Sequence, residues 1–404
     1  MLRMLDVYLH HDFVGHLVQD EGGQMLFSYA ERWLENPCAQ ALSHSLPLRV
    51  EQFTQKECTG FFGGLLPEED VRERIAKKLG ISANNDFSML ERIGGECAGA
   101  ITFMPEGQDL PARDDTYREL SQKDLADLLE TLPRRPLLAG EEGVRLSLAG
   151  AQDKLAVKVS GDVISVPLNG APSTHILKPD NPHYPGLVFN ELFCINLARA
   201  AGLNAAKSEI RTAGGKDFLL VERYDRKDGR RLHQEDFCQA LGIPTQKKYQ
   251  EEGGPSLKQC FDLLRETSTL PVIDLRRLLD AVIFNYLIGN NDAHGKNFSL
   301  LCHDDGTIRF APLYDVICTA GYEGLSNKMA MKIGGEYNSD LVGLQHFERL
   351  ADETGNNKQL VKERVGELAA VLEEKLANMA DKTPAAKPLS GIIQKRCKLN
   401  HPGR

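Results

Sequence analysis

Along the chain the hydrophobic positions change period several times, and each change marks a predicted element. Leu5, Val7 and Leu9 alternate with polar neighbours, and Met25, Phe27 and Tyr29 do so again beyond Gly22-Gly23, which predicts an opening antiparallel hairpin. The period then lengthens. Helices are predicted from about Gln55 to Leu66 and from about Pro67 to Leu79, the second with proline in its first turn, Lys77 and Lys78 near its end and Gly80 as its stop. A short helix around Phe87 to Ile93 leads through Gly94-Gly95 into an apolar strand, Ala98 to Met104. The polar stretch Pro105 to Asp115 reads as a linker, and Ser121 as the N-cap of a helix running to about Leu132.

From Leu146 the texture becomes strands broken by turns: Leu155, Val157 and Val159, then Thr174 to Lys178, then Phe218 to Tyr224. Between the last two, Leu192, Ile195, Leu197 and Ala198 give a helix an apolar face, opened by Glu191 and closed before Gly202. Leu275, Leu278, Leu279, Val282 and Tyr286 recur at helical spacing up to Gly289. Phe298 to Leu301 and Ile308 to Ala311 read as a hairpin about Asp304-Asp305-Gly306, and a helix from about Lys358 to Met379 precedes a Pro- and Lys-containing tail. The domains expected are 1–105, a linker and helix over 106–145, 146–225, 226–380 and a tail over 381–404.

Length and charge narrow the classes. A chain of 404 residues suggests two or three domains, and a net charge of −9 argues against one that coats DNA or acidic membrane by itself. Any nucleic acid needs a partner. Nine cysteines without a C-x-x-C pair read as reduced thiols, which points to the cytoplasm. With Asp6, His10, His11 and Asp12 in the first dozen residues and no apolar run of membrane-spanning length, neither export nor membrane insertion is expected.

Chemistry concentrates in Asn290-Asn291-Asp292-Ala293-His294-Gly295-Lys296-Asn297, a loop that follows an apolar helix. Asp292 and Asn297 stand at D-x-x-x-x-N spacing, by which a kinase offers a carboxylate to a substrate hydroxyl and an amide oxygen to Mg²⁺. Such spacing also arises by chance in polar turns, so its company matters. Ser147 to Lys154 is a small-residue turn before a strand, read either as a phosphate cradle or as a plain tight turn, since neither glycine-rich phosphate motif is present. Lys178 ends a strand and Glu191 opens the next helix, the pairing that kinases place on the α/β-phosphates. Phe218 to Tyr224, turning polar at Asp225, suits either a segment joining two lobes beside an adenine or a core strand leaving its sheet. Asp315 follows the catalytic-loop candidate in the order of a second metal aspartate.

Taken together, these stretches resemble the HipA family of bacterial toxin kinases over nearly the whole chain. The matching segments are Ser43 to Leu48, Phe61 to Ile75, Ser147 to Lys154, Thr174 to Lys178, Val221 to Arg226, Gln234 to Gly242, Asn290 to Ser299 and Pro312 to Val316. Asp153 and Asn291 depart from the pattern within otherwise matching motifs and bear on target preference more than on activity. The resemblance implies an α+β, two-lobed protein-kinase-like fold with a small β-rich N-terminal subdomain and an α-helical C-terminal lobe. It implies a serine/threonine kinase using ATP and Mg²⁺ on a protein of the translation machinery, a tRNA-charging enzyme in better-known members, with growth arrest as the result. The implied partner is a HipB-like helix-turn-helix antitoxin dimer, contacted in part by Asp6 to Met104, with operator DNA reached mainly through that antitoxin and the toxin acting as co-repressor.

Site roles follow from the resemblance. Asp292 would accept the substrate's proton, and Asn297 and Asp315 would coordinate Mg²⁺. His294 and Lys296, flanking Gly295, would face the phosphates, although a loop-stabilising hydrogen bond is an equal reading of His294. Lys178 would grip the phosphates, oriented by Glu191. Ala149, Gly150, Ala151, Gln152, Asp153 and Lys154 would cover them. Glu222, Arg223 and Tyr224 would lie at the adenine, Glu222 and Tyr224 meeting it through backbone groups, and Ser147 resembles the serine at which family members modify themselves. Competing readings are a kinase-fold enzyme for a small molecule or lipid, and a non-catalytic co-repressor, which should have lost Lys178, Asp292 or Asp315. A metal hydrolase built on His294 and Asp292 lacks a supporting motif.

Overall fold

The alternation at the start of the chain does form strands, but with a third between them. In the computed structural model, which describes residues 2–108, 110, 116–379 and 387–400, β1 (Arg3–Leu9) pairs antiparallel with β2 (Asp12–Gln19), and β2 pairs with β3 (Met25–Tyr29). The expected hairpin of the first and third segments is therefore corrected. A register shift between Val7 and Tyr8 and a glycine at position 15 disturb the alternation that would have revealed β2. Gly15 is required there, because a Cβ would lie 2.2 Å from the Ser28 carbonyl oxygen. Later in the chain, β4 (Ile101–Pro105) adds to β1 and completes the sheet order β3-β2-β1-β4.

Helices fill the stretch between β3 and β4: α1 (Glu31–Leu34), α2 (Gln55–Gly64), α3 (Glu69–Leu79) and α4 (Asp86–Ile93). Local chemistry sets their ends. The Glu57 carboxylate accepts the Thr54 N–H at 2.8 Å, the Asn85 side chain accepts the Ser88 N–H at 2.9 Å, and Gly80 closes α3 at φ 67°. Of the linker expected over Pro105 to Asp115, residues 109 and 111–115 lie outside the described residues. Beyond it come β5 (Tyr117–Leu120) and α5 (Gln122–Thr131), the latter capped by Ser121, whose hydroxyl accepts the Asp124 N–H at 3.1 Å.

The second sheet comprises β5, β6 (Leu155–Ser160), β7 (Val163–Pro167), β8 (His175–Pro179), β9 (Ser208–Ala213) and β10 (Lys216–Glu222), in the order β5-β7-β6-β8-β10-β9. Lys178 stands opposite Leu219 in the β8–β10 pair. Residues 1–179, 211–246 and 301–306 gather into one compact unit with a continuous apolar core from Leu5 to Leu220, so the N-terminal domain and this sheet share a core.

The other unit, residues 180–210, 247–300 and 307–404, is built on helices. It begins with α6 (Leu187–Ala200). After the short α7 (Phe237–Ala240) of the first unit come α8 (Leu257–Thr267) and α9 (Pro271–Ile288). Fully buried Asp274 anchors α9, accepting from Ser268 at 2.7 Å, from two Arg309 nitrogens at 2.9 Å each and from the Phe310 N–H at 3.0 Å. The unit closes with α10 (Leu344–Thr354), α11 (Lys358–Met379) and α12 (Lys387–Leu399). The tail expected over 381–404 is corrected in part. Residues 381–386 and 401–404 lie outside the described residues, but Leu389, Ile393 and Cys397 recur at helical spacing on the buried face of α12, and its Arg396 donates to Ser339 and Asp340 at 3.1 and 2.9 Å. The class is α+β, and among the described residues no helix is long and apolar enough to cross a membrane.

Candidate active site

Helix α9 delivers the catalytic-loop candidate. It ends at Gly289, whose φ of 75° turns the chain, and the Asn290 side chain donates back to Asn285 at 2.8 Å while its own oxygen accepts the Asp292 N–H at 3.2 Å. Asn291 pins the loop from the other side: its N–H donates to the Thr319 hydroxyl at 2.8 Å, its carboxamide to the Ser326 carbonyl at 3.2 Å, and its carbonyl accepts the Ala330 N–H at 2.7 Å. Asp292 remains exposed between these fixed neighbours. The loop then tightens into a 3₁₀ turn, Gly295–Asn297, in which the Asn297 side-chain oxygen accepts the His294 N–H at 3.0 Å.

Two of the expected oxygen ligands meet. The Asn297 carboxamide nitrogen lies 3.3 Å from Asp315 Oδ2, and Asp315 adopts φ 55°, a left-handed conformation rare outside glycine. Tyr314 ties the two segments together, donating to the Lys296 carbonyl at 2.6 Å with Ser299 at 2.7 Å. His294, Lys296 and Asn297 are buried. Glu191 is buried on α6, and Asn190 beside it exchanges two hydrogen bonds with the backbone of Cys318, at 3.0 and 2.8 Å, which fixes α6 to the segment just after Asp315.

Sequence reasoning missed Asn190 and also Tyr249, whose hydroxyl donates to Asp292 Oδ1 at 2.8 Å from 43 residues away. A polar residue interrupting the apolar face of α6 was the available signal for Asn190; Tyr249, in a polar stretch, gave none.

The remaining expected residues belong to the first unit. Gly150, at φ 108°, turns the small-residue segment, Lys154 folds back to donate to the Ala149 carbonyl at 2.8 Å, and the Gln152 side-chain nitrogen is a buried donor without a hydrogen-bond partner among the described residues. The segment is stitched to the N-terminal domain. The Gly150 carbonyl accepts the Glu68 N–H at 3.2 Å, Asp153 pairs with Arg74 at 2.9 Å, and the fully buried Ser147 hydroxyl donates to the Leu65 carbonyl at 2.8 Å. Lys178 is buried on β8, so Lys178 and Glu191 lie one in each unit.

The Arg223 side chain is committed to a buried network. Its guanidinium is buried among acids and a hydroxyl, at 2.8 and 2.9 Å from the two Asp225 oxygens, 3.1 Å from Glu96 and 2.9 Å from Ser173. Burial opposes charge on Glu96, yet Arg223, Arg226 and Arg231 hold its carboxyl down at about 2. Asp225 is likewise held well below the carboxylate range by Arg223 and Arg226 against the penalty of burial. This network is structural. Of its neighbours, Glu222 is exposed and Tyr224, half-buried, hydrogen-bonds to Gln234.

A family model described as the HipA N-terminal domain matches residues 5–104, and one described as the HipA-like C-terminal domain matches residues 146–376. The protein Y4mE of Sinorhizobium fredii is 46% identical, covering 99% of this chain and 96% of its own. The serine/threonine-protein kinase toxin HipA of Shewanella oneidensis is 29% identical over 93% of this chain and 89% of its own. The solved Shewanella oneidensis complex of HipA, HipB and operator DNA contains a chain that superposes with a TM-score of 0.84 at 28% identity, covering 98% of this chain and 96% of that one.

Proposed function

This chain belongs to the HipA family, and from that premise we propose that it is a toxin kinase transferring the γ-phosphoryl group of ATP to a serine or threonine of a protein of the translation machinery, in the cytoplasm, with growth arrest as the outcome. The observation that carries the reading is the second unit's cluster, in which an exposed carboxylate, Asp292, precedes by five residues a carboxamide, Asn297, that lies against a second carboxylate, Asp315. Adjacent carboxamide and carboxylate groups suit Mg²⁺, a hard cation that takes few protein oxygens and keeps phosphates and waters as its other ligands. When bound, the ion offsets negative charge on the phosphates. The unpartnered Gln152 donor and the positive φ of Gly150 suit a turn laid over phosphates.

In this reading Asp292 accepts the proton of the substrate hydroxyl as its oxygen attacks, and Asn297 and Asp315 hold the metal. Lys178 grips the phosphates and Glu191 orients it, with His294 and Lys296 as further donors. Backbone groups of Glu222 and Tyr224 meet the adenine, while Arg223 keeps that segment in place from behind. Ser147 is the site of self-modification. The Shewanella complex supports a HipB-like antitoxin dimer as partner, with operator DNA reached through it and the toxin acting as co-repressor.

The test is incubation of the pure protein with labelled Mg²⁺-ATP and lysate of a sensitive cell, followed by identification of the labelled proteins. Asp292→Asn is expected to lower transfer by roughly 10²–10⁴-fold, the loss typical of a missing general base, with nucleotide binding retained. Wild-type rates in that variant would remove Asp292 from the mechanism.

A further inference from the structure

Tyr249 occupies a position that the kinase reading leaves without a role. Its hydroxyl donates to Asp292 Oδ1 at 2.8 Å, and among the described residues none bonds to Oδ2. The phenol ring stands edge-on to His294, centroids 5.4 Å apart and planes at 75°, and the Lys248 ammonium lies 5.5 Å from its centre. The strap that carries it is anchored. Gln250 accepts the Lys332 N–H at 2.9 Å and Glu251 pairs with Lys328, so both fasten to the strand Lys328–Ile333. The Ala330 N–H of that strand also donates to Asn291, the residue before Asp292. Base and phenol are thus held on one scaffold.

An exposed aspartate has free rotation about its side-chain bonds, and a base that must meet a hydroxyl within hydrogen-bond reach loses rate when it samples the wrong rotamers. A neutral phenol bonded to one oxygen removes that freedom without taking the proton that the other oxygen must accept.

We propose that Tyr249 is a positioning residue for phosphoryl transfer, holding Asp292 through Oδ1 so that Oδ2 receives the acceptor's proton. The assignment rests on the kinase reading. In the step itself the acceptor oxygen bonds to the γ-phosphorus, its proton passes to Oδ2, and the bond from the γ-phosphorus to the bridging oxygen breaks to release ADP. Tyr249 keeps its own proton throughout.

Tyr249→Phe tests this, because it retains the ring against His294 and removes only the hydroxyl. Transfer of label from Mg²⁺-ATP to the lysate proteins is followed against ATP concentration in wild type and variant, with circular dichroism to establish that both are folded. The expected result is a kcat lower by roughly 10- to 100-fold, the scale of a lost hydrogen bond to a charged group, at an ATP KM changed by less than about twofold. A kcat equal to wild type, or above it as removal of a plug would give, overturns the assignment and leaves the kinase reading standing, as does a loss confined to KM. Absence of transfer by the wild type overturns the kinase reading and the assignment with it.

Discussion

Glu235 and Glu96 are both buried in the first unit, and their neighbours drive them in opposite directions. Burial pushes the Glu235 carboxyl from 4.5 up to about 7, helped by nearby Asp236 and only partly opposed by the Ser43 hydroxyl and by the His44 N–H, which donates at 3.0 Å. A raised carboxyl holds its proton in the folded chain, so its contribution is fully present below the unfolded value of about 4.5 and is lost as pH rises through about 7. Glu235→Gln carries no such proton. Urea unfolding between about pH 5 and about pH 8 should show wild-type stability falling with a component that the variant lacks, and parallel slopes would mean that Glu235 is not the group responsible. Asp153 and Asn291, which the sequence reading expected to bear on target preference, have local work. Asp153 is held by Arg74, and Asn291 is committed through its side chain, N–H and carbonyl to the scaffold under Asp292. Both are framework residues in this chain.

At the scale of elements, the segment Ser147 to Lys154 is the most consequential, because it is fastened to the N-terminal domain by Leu65, Glu68 and Arg74. The Ser147 hydroxyl gives its proton to a carbonyl in a fully buried setting. A phosphoserine has no such proton and brings about −1.5 to −2 charges, so modified Ser147 cannot stay where it is. The segment is expected to leave once Ser147 is phosphorylated, and limited proteolysis after incubation with Mg²⁺-ATP should cut within 147–154. Ser147→Ala should stay protected while losing about 1–3 kcal/mol, the cost of leaving a buried carbonyl unpaired. Phosphorylated protein as protease-resistant as unmodified protein would overturn this expectation. Strongly periodic elements with local end signals, such as α3, α5 and α9, were legible in the sequence. The strand β2 was not, because a bulge and Gly15 break its alternation, and α8, α10 and α12 mix cysteine, alanine, threonine or arginine into their buried faces. In the candidate site, Asp292 and Asn297 stand out in the sequence because their spacing is short, and the structure brings Asp315 against Asn297. Tyr249 and the Glu96 network do not stand out there, since each exists only through contacts between distant segments.

At the scale of the whole chain, a single buried carboxylate joins parts that the sequence suggested were separate domains. The Glu96 side chain meets Arg223, Arg226 and Ser173, while its backbone carbonyl accepts the Ser147 N–H at 2.9 Å and its N–H donates to the Arg145 carbonyl at 2.8 Å. The N-terminal sheet, the small-residue segment and the chain leaving β10 thus converge on one residue, and they share one apolar core. Glu96→Ala would leave Asp225 as the one carboxylate still paired with buried Arg223 and Arg226 among the described residues, and breaking a buried ion pair in this way typically costs about 3–5 kcal/mol. If these parts melt together, the loss must register far from the mutation. Trp33, buried in α1 and the sole tryptophan, provides the probe. Its fluorescence transition in urea should move to lower concentration in step with the circular dichroism of the sheets, whereas an unmoved Trp33 transition would mean that the N-terminal domain unfolds on its own. The pH dependence gives an independent check. A carboxyl depressed to about 2 contributes stability above its ordinary 4.5 and loses it as pH falls from there toward about 2, so the gap between wild type and Glu96→Ala should narrow over that acid range and not between neutral pH and 5. That window lies below the one in which Glu235 acts, and the two carboxyls can therefore be told apart in one pH series.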